Sequence, residues 1–145
     1  MVNVWVTKIR QWFELAIFWY GILGLYLAVL LFLSLNPWVL PKSTDSIFSP
    51  DKLDHAVAYG GLVMILYFCF SRTAIKFKNN SKLSWLISIV VAISTGISIE
   101  IAQSLFTTNR TGSIEDALAN ATGAVLGVVI FTGLKYSLGK KIFRI

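Results

Sequence analysis

Long uncharged stretches alternate along the chain with short polar segments. The stretches are too long for buried strands, and none shows the period of two that a half-buried strand requires. Extended through their polar ends, they predict four helices, over about residues 13–35, 53–71, 83–106 and 114–134. A membrane span needs about 20 mainly apolar residues, so each predicted helix is long enough to cross a bilayer.

The composition narrows the fold class. Hydrophobic residues make up 56% of the chain and charged residues 14%, and the mean hydropathy is +0.71. An ordinary soluble domain carries about 25% charged residues, and disordered chains are poor in apolar residues, so both classes are excluded. Because backbone groups in lipid must be paired within their own segment, we predict an all-α integral membrane protein. A single domain over residues 1–145 would form a four-helix transmembrane bundle.

Basic residues predict the orientation. If the N-terminus is cytoplasmic, all of the 13 basic residues lie inside except Lys42, Lys52 and Arg110. Both termini are therefore predicted to be cytoplasmic. The first stretch is too long for a cleaved signal peptide and ends without a small-residue cleavage site, so it is interpreted as a retained span. The net charge of +6 is then a topology signal, and no nucleic-acid partner is expected.

Polar residues on the second and third helices are predicted at similar depths near the outer surface. Asp51, His55 and Tyr59 are spaced four residues apart and share one helix face. Glu100 lies about 9 Å inside the end of the third helix, at 1.5 Å per residue, and Gln103 shares its face. A carboxylate within a span costs about 2.5–3.5 kcal/mol near the bilayer centre, so Glu100 is expected to face a cavity or a partner.

The fourth helix adds a second polar face. Asp116 and Asn120 are four residues apart, and Gly123 and Gly127 continue the same face as a G-x-x-x-G pattern, which predicts close helix packing. The second and fourth helices both begin at this surface. Their N-termini, with Lys52 and Arg110, would form a positive rim suited to phosphate or carboxylate.

The same residues also allow structural interpretations. Pro50 and Asp51 are typical of a helix start, and Ser113-x-x-Asp116 resembles a capping box. A buried histidine can be an ordinary packing residue, and an asparagine can join two helices by a hydrogen bond. Cys69, the only cysteine, cannot form an intramolecular disulfide and is interpreted as a small buried hydrophobe.

Two kinds of chemistry remain open for these polar residues near the outer surface. Its carboxylates and histidine could act as acids and bases, or could bind a divalent metal, and no serine nucleophile motif or H-E-x-x-H pattern is present. The candidate catalytic residues are His55, Glu100 and Asp116. The candidate ligand-binding residues are Asp51, Lys52, Tyr59, Gln103, Arg110 and Asn120.

The order of these residues resembles the signature of the VanZ-like family. The matching pieces are Asp51-Lys52-x-x-His55-x-x-x-Tyr59, then Glu100-x-x-Gln103, then Arg110, then Asp116-x-x-x-Asn120-x-x-Gly123-x-x-x-Gly127. Thr108 departs from the family, which often has proline before the arginine. The resemblance implies a small multi-pass protein of the bacterial plasma membrane with a cell-envelope role. The family is named after a member associated with resistance to the glycopeptide teicoplanin.

Three functional hypotheses follow. The first is a protein that binds or handles an anionic envelope molecule, such as a lipid-linked precursor, a lipid head group or a glycopeptide-related ligand. The second is an intramembrane hydrolase or transferase using His55 or Glu100 with Asp51 and Asp116. The third is a scaffold or partner subunit whose polar cluster holds the helices together. Membrane lipids are expected partners in each case, and the oligomeric state is left open.

Overall fold

The computed structural model describes the side chains of residues 17–36, 50–72, 80–107 and 112–137, and the helix backbone of residues 2–16 and 73. It contains four helices: α1 (Val2–Leu35), α2 (Pro50–Thr73), α3 (Ser81–Phe106) and α4 (Ile114–Ser137). No strand occurs within these ranges, so the prediction of an all-α four-helix protein is confirmed. Helix α1 begins well before the predicted position, because its first turns contain no proline or glycine to stop the helix.

Local signals explain where the helices begin. Pro50 occupies the first position of α2, where its missing N–H costs nothing. The Asn80 side chain caps α3 by accepting a hydrogen bond from the Leu83 N–H at 3.1 Å. The Ser113 Oγ caps α4 by accepting from the Asp116 N–H at 3.3 Å. These caps satisfy N–H groups that a helix start leaves without partners.

The outer surface of the bundle is apolar. Leu25, Val57 and Leu105 are 69%, 67% and 70% exposed, and similar side chains cover all four helices. Each helix is long and apolar enough to cross a membrane. Such a surface is unfavourable in water but matches lipid, where spanning helices pair their own backbone groups.

Helices α2 and α4 run parallel and approach most closely through small residues. A Cβ on Gly123 would overlap the backbone of Ala56, and one on Gly127 would lie 2.7 Å from the Gly60 carbonyl oxygen. The close packing predicted from the G-x-x-x-G pattern is therefore confirmed. Helix α3 contacts both α2 and α4, whereas α1 packs against α2 and α3.

The two ends of the bundle differ in composition. We call the end where α2 and α4 begin the site end. At the opposite, aromatic end, Trp19 stacks on Phe68 with ring centroids 4.5 Å apart, and Tyr67 stacks on Trp85 at 3.8 Å. Phe131 packs edge-on against Trp85 at 5.4 Å. The Arg72 guanidinium lies 5.4 Å from the Trp19 ring centre, within cation–π range.

Candidate functional site

A row of hydrogen-bonded side chains crosses the site end. His55 Nδ1 on α2 lies 3.0 Å from Asn120 Oδ1 on α4. Asn120 Nδ2 in turn donates to Glu100 Oε1 on α3 at 3.4 Å. Asn120 is 1% and Glu100 6% exposed, so the row joins three helices within the interior of the bundle.

The row determines which nitrogen of His55 carries hydrogen. Asn120 donates to Glu100 through its amide nitrogen, so its oxygen faces His55 and can only accept. His55 Nδ1 must therefore carry the donated hydrogen. In the neutral ring the lone pair is then on Nε2, which lies 4.0 Å from Asp51 Oδ1.

The second oxygen of Glu100 is held by the segment that leads into α4. Ser113 N–H donates to Glu100 Oε2 at 3.0 Å, and Gly112 N–H donates to Ser104 Oγ at 3.0 Å. A Cβ on Gly112 would overlap the Glu100 backbone carbonyl, so this approach requires glycine. Sequence analysis missed the role of Gly112. Its only sequence signal was a glycine directly before a helix cap.

Half of the predicted capping box is formed: the Asp116 N–H donates to the Ser113 Oγ, but the Asp116 carboxylate does not accept the return bond. The Ser113 N–H, which a capping box would give to the Asp116 carboxylate, donates to Glu100. The Ser113 hydroxyl instead contacts the neighbouring Glu115 carboxylate. Ser113 still caps α4, but the Asp116 carboxylate is turned toward α2.

Asp51, His55 and Asp116 converge. Each offers one carboxylate or imidazole atom, and these three atoms all lie within 4.8 Å of one another. The side chains of His55 and Asp51 are 11% and 12% exposed, so the group is enclosed but reachable. One imidazole and two carboxylates form a donor set that suits a divalent metal or a proton-transfer site.

Tyr59 lies below this group. It is 1% exposed, and its hydroxyl has no hydrogen-bond partner among the residues that the structure describes. Gly96 on α3 makes room for it, since a Cβ there would lie 3.1 Å from both the Tyr59 ring and the Asn120 side chain. Gly96 is a second residue that sequence analysis missed, because an isolated glycine in an apolar helix carries no specific signal.

The remaining candidates are placed elsewhere. Gln103 Nε2 donates to the Ser34 carbonyl at 2.8 Å, so this side chain joins α3 to α1. Lys52 interacts electrostatically with Glu115 across the α2–α4 contact. Arg110 and Thr108 lie outside the described residues. The hydrogen bonds described for the Glu100 carboxylate come from Asn120 and Ser113.

Comparison with known sequences decides the family. The family profile described as VanZ/LLP1 matches residues 3–136, nearly the whole chain. The chain belongs to the VanZ/LLP1 family. No curated protein and no solved structure matches it. The predicted resemblance is thus confirmed, and this VanZ/LLP1 family member is a multi-pass membrane protein with four membrane-spanning helices.

Proposed function

We propose that this VanZ/LLP1 family member binds the anionic head group of a cell-envelope molecule at the site end. The observation that carries the proposal is the row His55–Asn120–Glu100, which brings three helices to one polar point. With both termini cytoplasmic, as the basic residues favour, the site end faces outward from the plasma membrane.

The polar row exceeds what the helices need in order to pack. Helices α2 and α4 already contact through glycines, and the aromatic end packs through rings. Interhelical hydrogen bonds in membranes contribute only about 0.6 kcal/mol on average, which is small against the cost of placing a carboxylate in a span. Polar groups at this depth therefore support a binding or catalytic role.

The surroundings suit an amphipathic ligand. Leu53, Leu105 and Ile114 are 65%, 70% and 79% exposed and lie near the helix ends that form the site. A lipid chain would lie along such side chains while its head group reaches the site. The N-termini of α2 and α4 favour negative charge on that head group, and Lys52 adds a positive charge.

Binding can be measured in nanodiscs of phosphatidylcholine with farnesyl diphosphate as the probe. We expect saturable binding that Lys52→Gln weakens about tenfold, the size of one charge-assisted hydrogen bond. Lys82→Gln is the matched control, because it removes the same charge from the first turn of α3 at the opposite end.

Parallel titrations identify the ligand class. Pyrophosphate tests whether the anion binds without a lipid chain, phosphatidylglycerol tests an ordinary head group, and teicoplanin tests the ligand that the family name suggests. Absence of saturable binding to all four probes would contradict the proposal. Equal weakening by Lys52→Gln and Lys82→Gln would also contradict it, because the effect would then be one of net charge.

The orientation of His55 favours a second candidate function, hydrolysis or group transfer on the same ligand. A histidine held on one nitrogen by Asn120 and Glu100 presents the other as a base, as in enzymes whose base is oriented by a third group. Water activated by His55 would attack phosphorus, and the prenyl phosphate would leave. Phosphate release from farnesyl diphosphate that His55→Gln abolishes and Asp54→Asn preserves would support this function. Absence of release from the wild-type protein would exclude it for this substrate.

A further inference from the structure

The group Asp51, His55 and Asp116 presents three electron-pair donors to one point between α2 and α4. Two helices supply them, and their donor atoms lie within 4.8 Å of one another. Tetrahedral ligands with bonds of about 2.1 Å to a central ion lie about 3.4 Å apart. Shifts of less than about 1 Å per atom would therefore bring all three atoms into coordination distance.

An independent observation comes from outside the group. The hydrogen bond to Asn120, which itself donates to Glu100, places the hydrogen of the neutral imidazole on Nδ1. The lone pair is then on Nε2, which lies 4.0 Å from Asp51 Oδ1. That distance is too long for a direct hydrogen bond. A histidine that donates its other N–H to a fixed partner is the usual arrangement of a metal ligand. The site thus has an oriented ligand and a partner that fixes its orientation.

We propose that Asp51, His55 and Asp116 bind one divalent transition-metal cation. The imidazole favours Zn²⁺ over Mg²⁺ or Ca²⁺, which prefer oxygen ligands alone, and the two carboxylates also suit Mn²⁺. Three protein ligands leave at least one coordination position for a water molecule or a ligand oxygen. Asn120 and Glu100 are positioning residues that hold His55.

The cation gives an acidic site a means to bind an anion. Among the described residues of the site, Asp51, Asp116 and Glu100 would repel a phosphate, and Lys52 acts electrostatically on Glu115 as well. A bound cation would offset the carboxylates and coordinate a phosphate oxygen directly. This part of the inference rests on the proposed function, whereas metal binding itself does not.

Metal binding is tested on the full chain in phosphatidylcholine nanodiscs, without any anionic ligand. Mn²⁺ is titrated and followed by the loss of its free-ion electron paramagnetic resonance signal, and Zn²⁺ retained after dialysis is measured by mass spectrometry. We expect one ion per chain. Asp51→Asn, His55→Gln and Asp116→Asn should each weaken binding at least tenfold, since each removes one ligand.

The controls separate the site from ordinary surface charge. Asp54→Asn removes an exposed carboxylate on the same helix and should leave binding unchanged. Glu100→Gln should weaken binding about 10- to 100-fold, as expected when the partner of a ligand is altered. Circular dichroism melting of every variant shows that it is folded. No stoichiometric ion in the wild type, or equal effects of Asp54→Asn and Asp116→Asn, would overturn the metal site.

The direction in which Asp116→Asn changes the affinity for farnesyl diphosphate distinguishes the two proposals. Asp116→Asn removes a negative charge, so simple electrostatics predicts tighter binding of farnesyl diphosphate. A bridging cation predicts weaker binding, together with loss of wild-type binding in a chelator. Tighter binding by Asp116→Asn would overturn the cation bridge and leave the proposed anion site standing. Metal binding without farnesyl diphosphate binding would uphold the metal site and contradict the proposed function for this probe.

Discussion

At the aromatic end of the bundle, the four helices meet through rings, whereas at the site end they meet through glycines and hydrogen bonds. Trp85 stacks on Tyr67 at 3.8 Å at the first end. At the second, Gly123 lies against the Ala56 backbone, and Asn120 connects His55 with Glu100. Large rings fill the space between the helices at the first end, while glycines at the second let helices approach until short polar side chains meet.

This difference assigns separate roles to the two ends. Ring packing stabilises a bundle without imposing one position on any particular polar atom. The site end fixes individual atoms: both oxygens of Glu100 accept hydrogen bonds, and the His55 ring is oriented through Nδ1. We interpret the aromatic end as a stabilising region and the site end as the region that would carry the proposed binding.

The largest effect on stability is expected from adding a side chain at a glycine through which α2 and α4 contact each other. Gly123→Ala would force α2 and α4 apart, because the new Cβ would overlap Ala56. We expect a loss of about 3 kcal/mol in the free energy of unfolding, the upper range for overpacking. Thermal unfolding in detergent, followed by circular dichroism, measures it.

Gly133→Ala is the matched control for that substitution. Gly133 lies on the same helix toward the aromatic end, and its Cβ position has no neighbouring atom within 4 Å. Its replacement should leave stability unchanged or slightly raised, because alanine favours the helix. Equal losses of unfolding free energy for the two variants would show that stability does not depend on the close α2–α4 contact at Gly123.

A smaller effect is expected from removing the acceptor at the centre of the row. Glu100→Leu introduces an apolar side chain of similar size and leaves the Ser113 N–H and the Asn120 amide without their acceptor. We expect a loss of about 2 kcal/mol in unfolding free energy. Glu100→Gln retains one acceptor oxygen and should lose less stability. If Glu100→Leu has the same free energy of unfolding as the wild type, the hydrogen bonds to Glu100 contribute nothing to stability.

The sequence predicted the bundle more fully than the site. Apolar stretches long enough to span a bilayer permit few folds, so four helices followed directly from their length. Helical spacing also placed Asp51 with His55 and predicted the close contact at Gly123, and the structure confirms both. These predictions depend only on periodicity within one helix.

Contacts between helices were harder to predict, because they depend on how each helix is rotated about its axis and how deep each residue lies in the membrane. Gln103 shares a helix face with Glu100 in sequence, yet its amide bonds to Ser34 of α1. Gly112 and Gly96 were missed, because what they accommodate comes from other segments of the chain. The pairing of Glu100 with a backbone N–H left no trace in residue identity, since any residue at position 113 except proline supplies that group.

The central claim is that ligand binding depends on residues of the site end, whereas ring packing at the aromatic end stabilises the bundle. The most direct test measures farnesyl diphosphate affinity and the unfolding midpoint on the same preparations of His55→Gln and Trp85→Leu. We predict that His55→Gln lowers affinity about tenfold at a nearly unchanged midpoint. Trp85→Leu should keep wild-type affinity and lose about 1 kcal/mol of stability. Wild-type affinity in His55→Gln, or equal loss of affinity in both variants, would contradict the account.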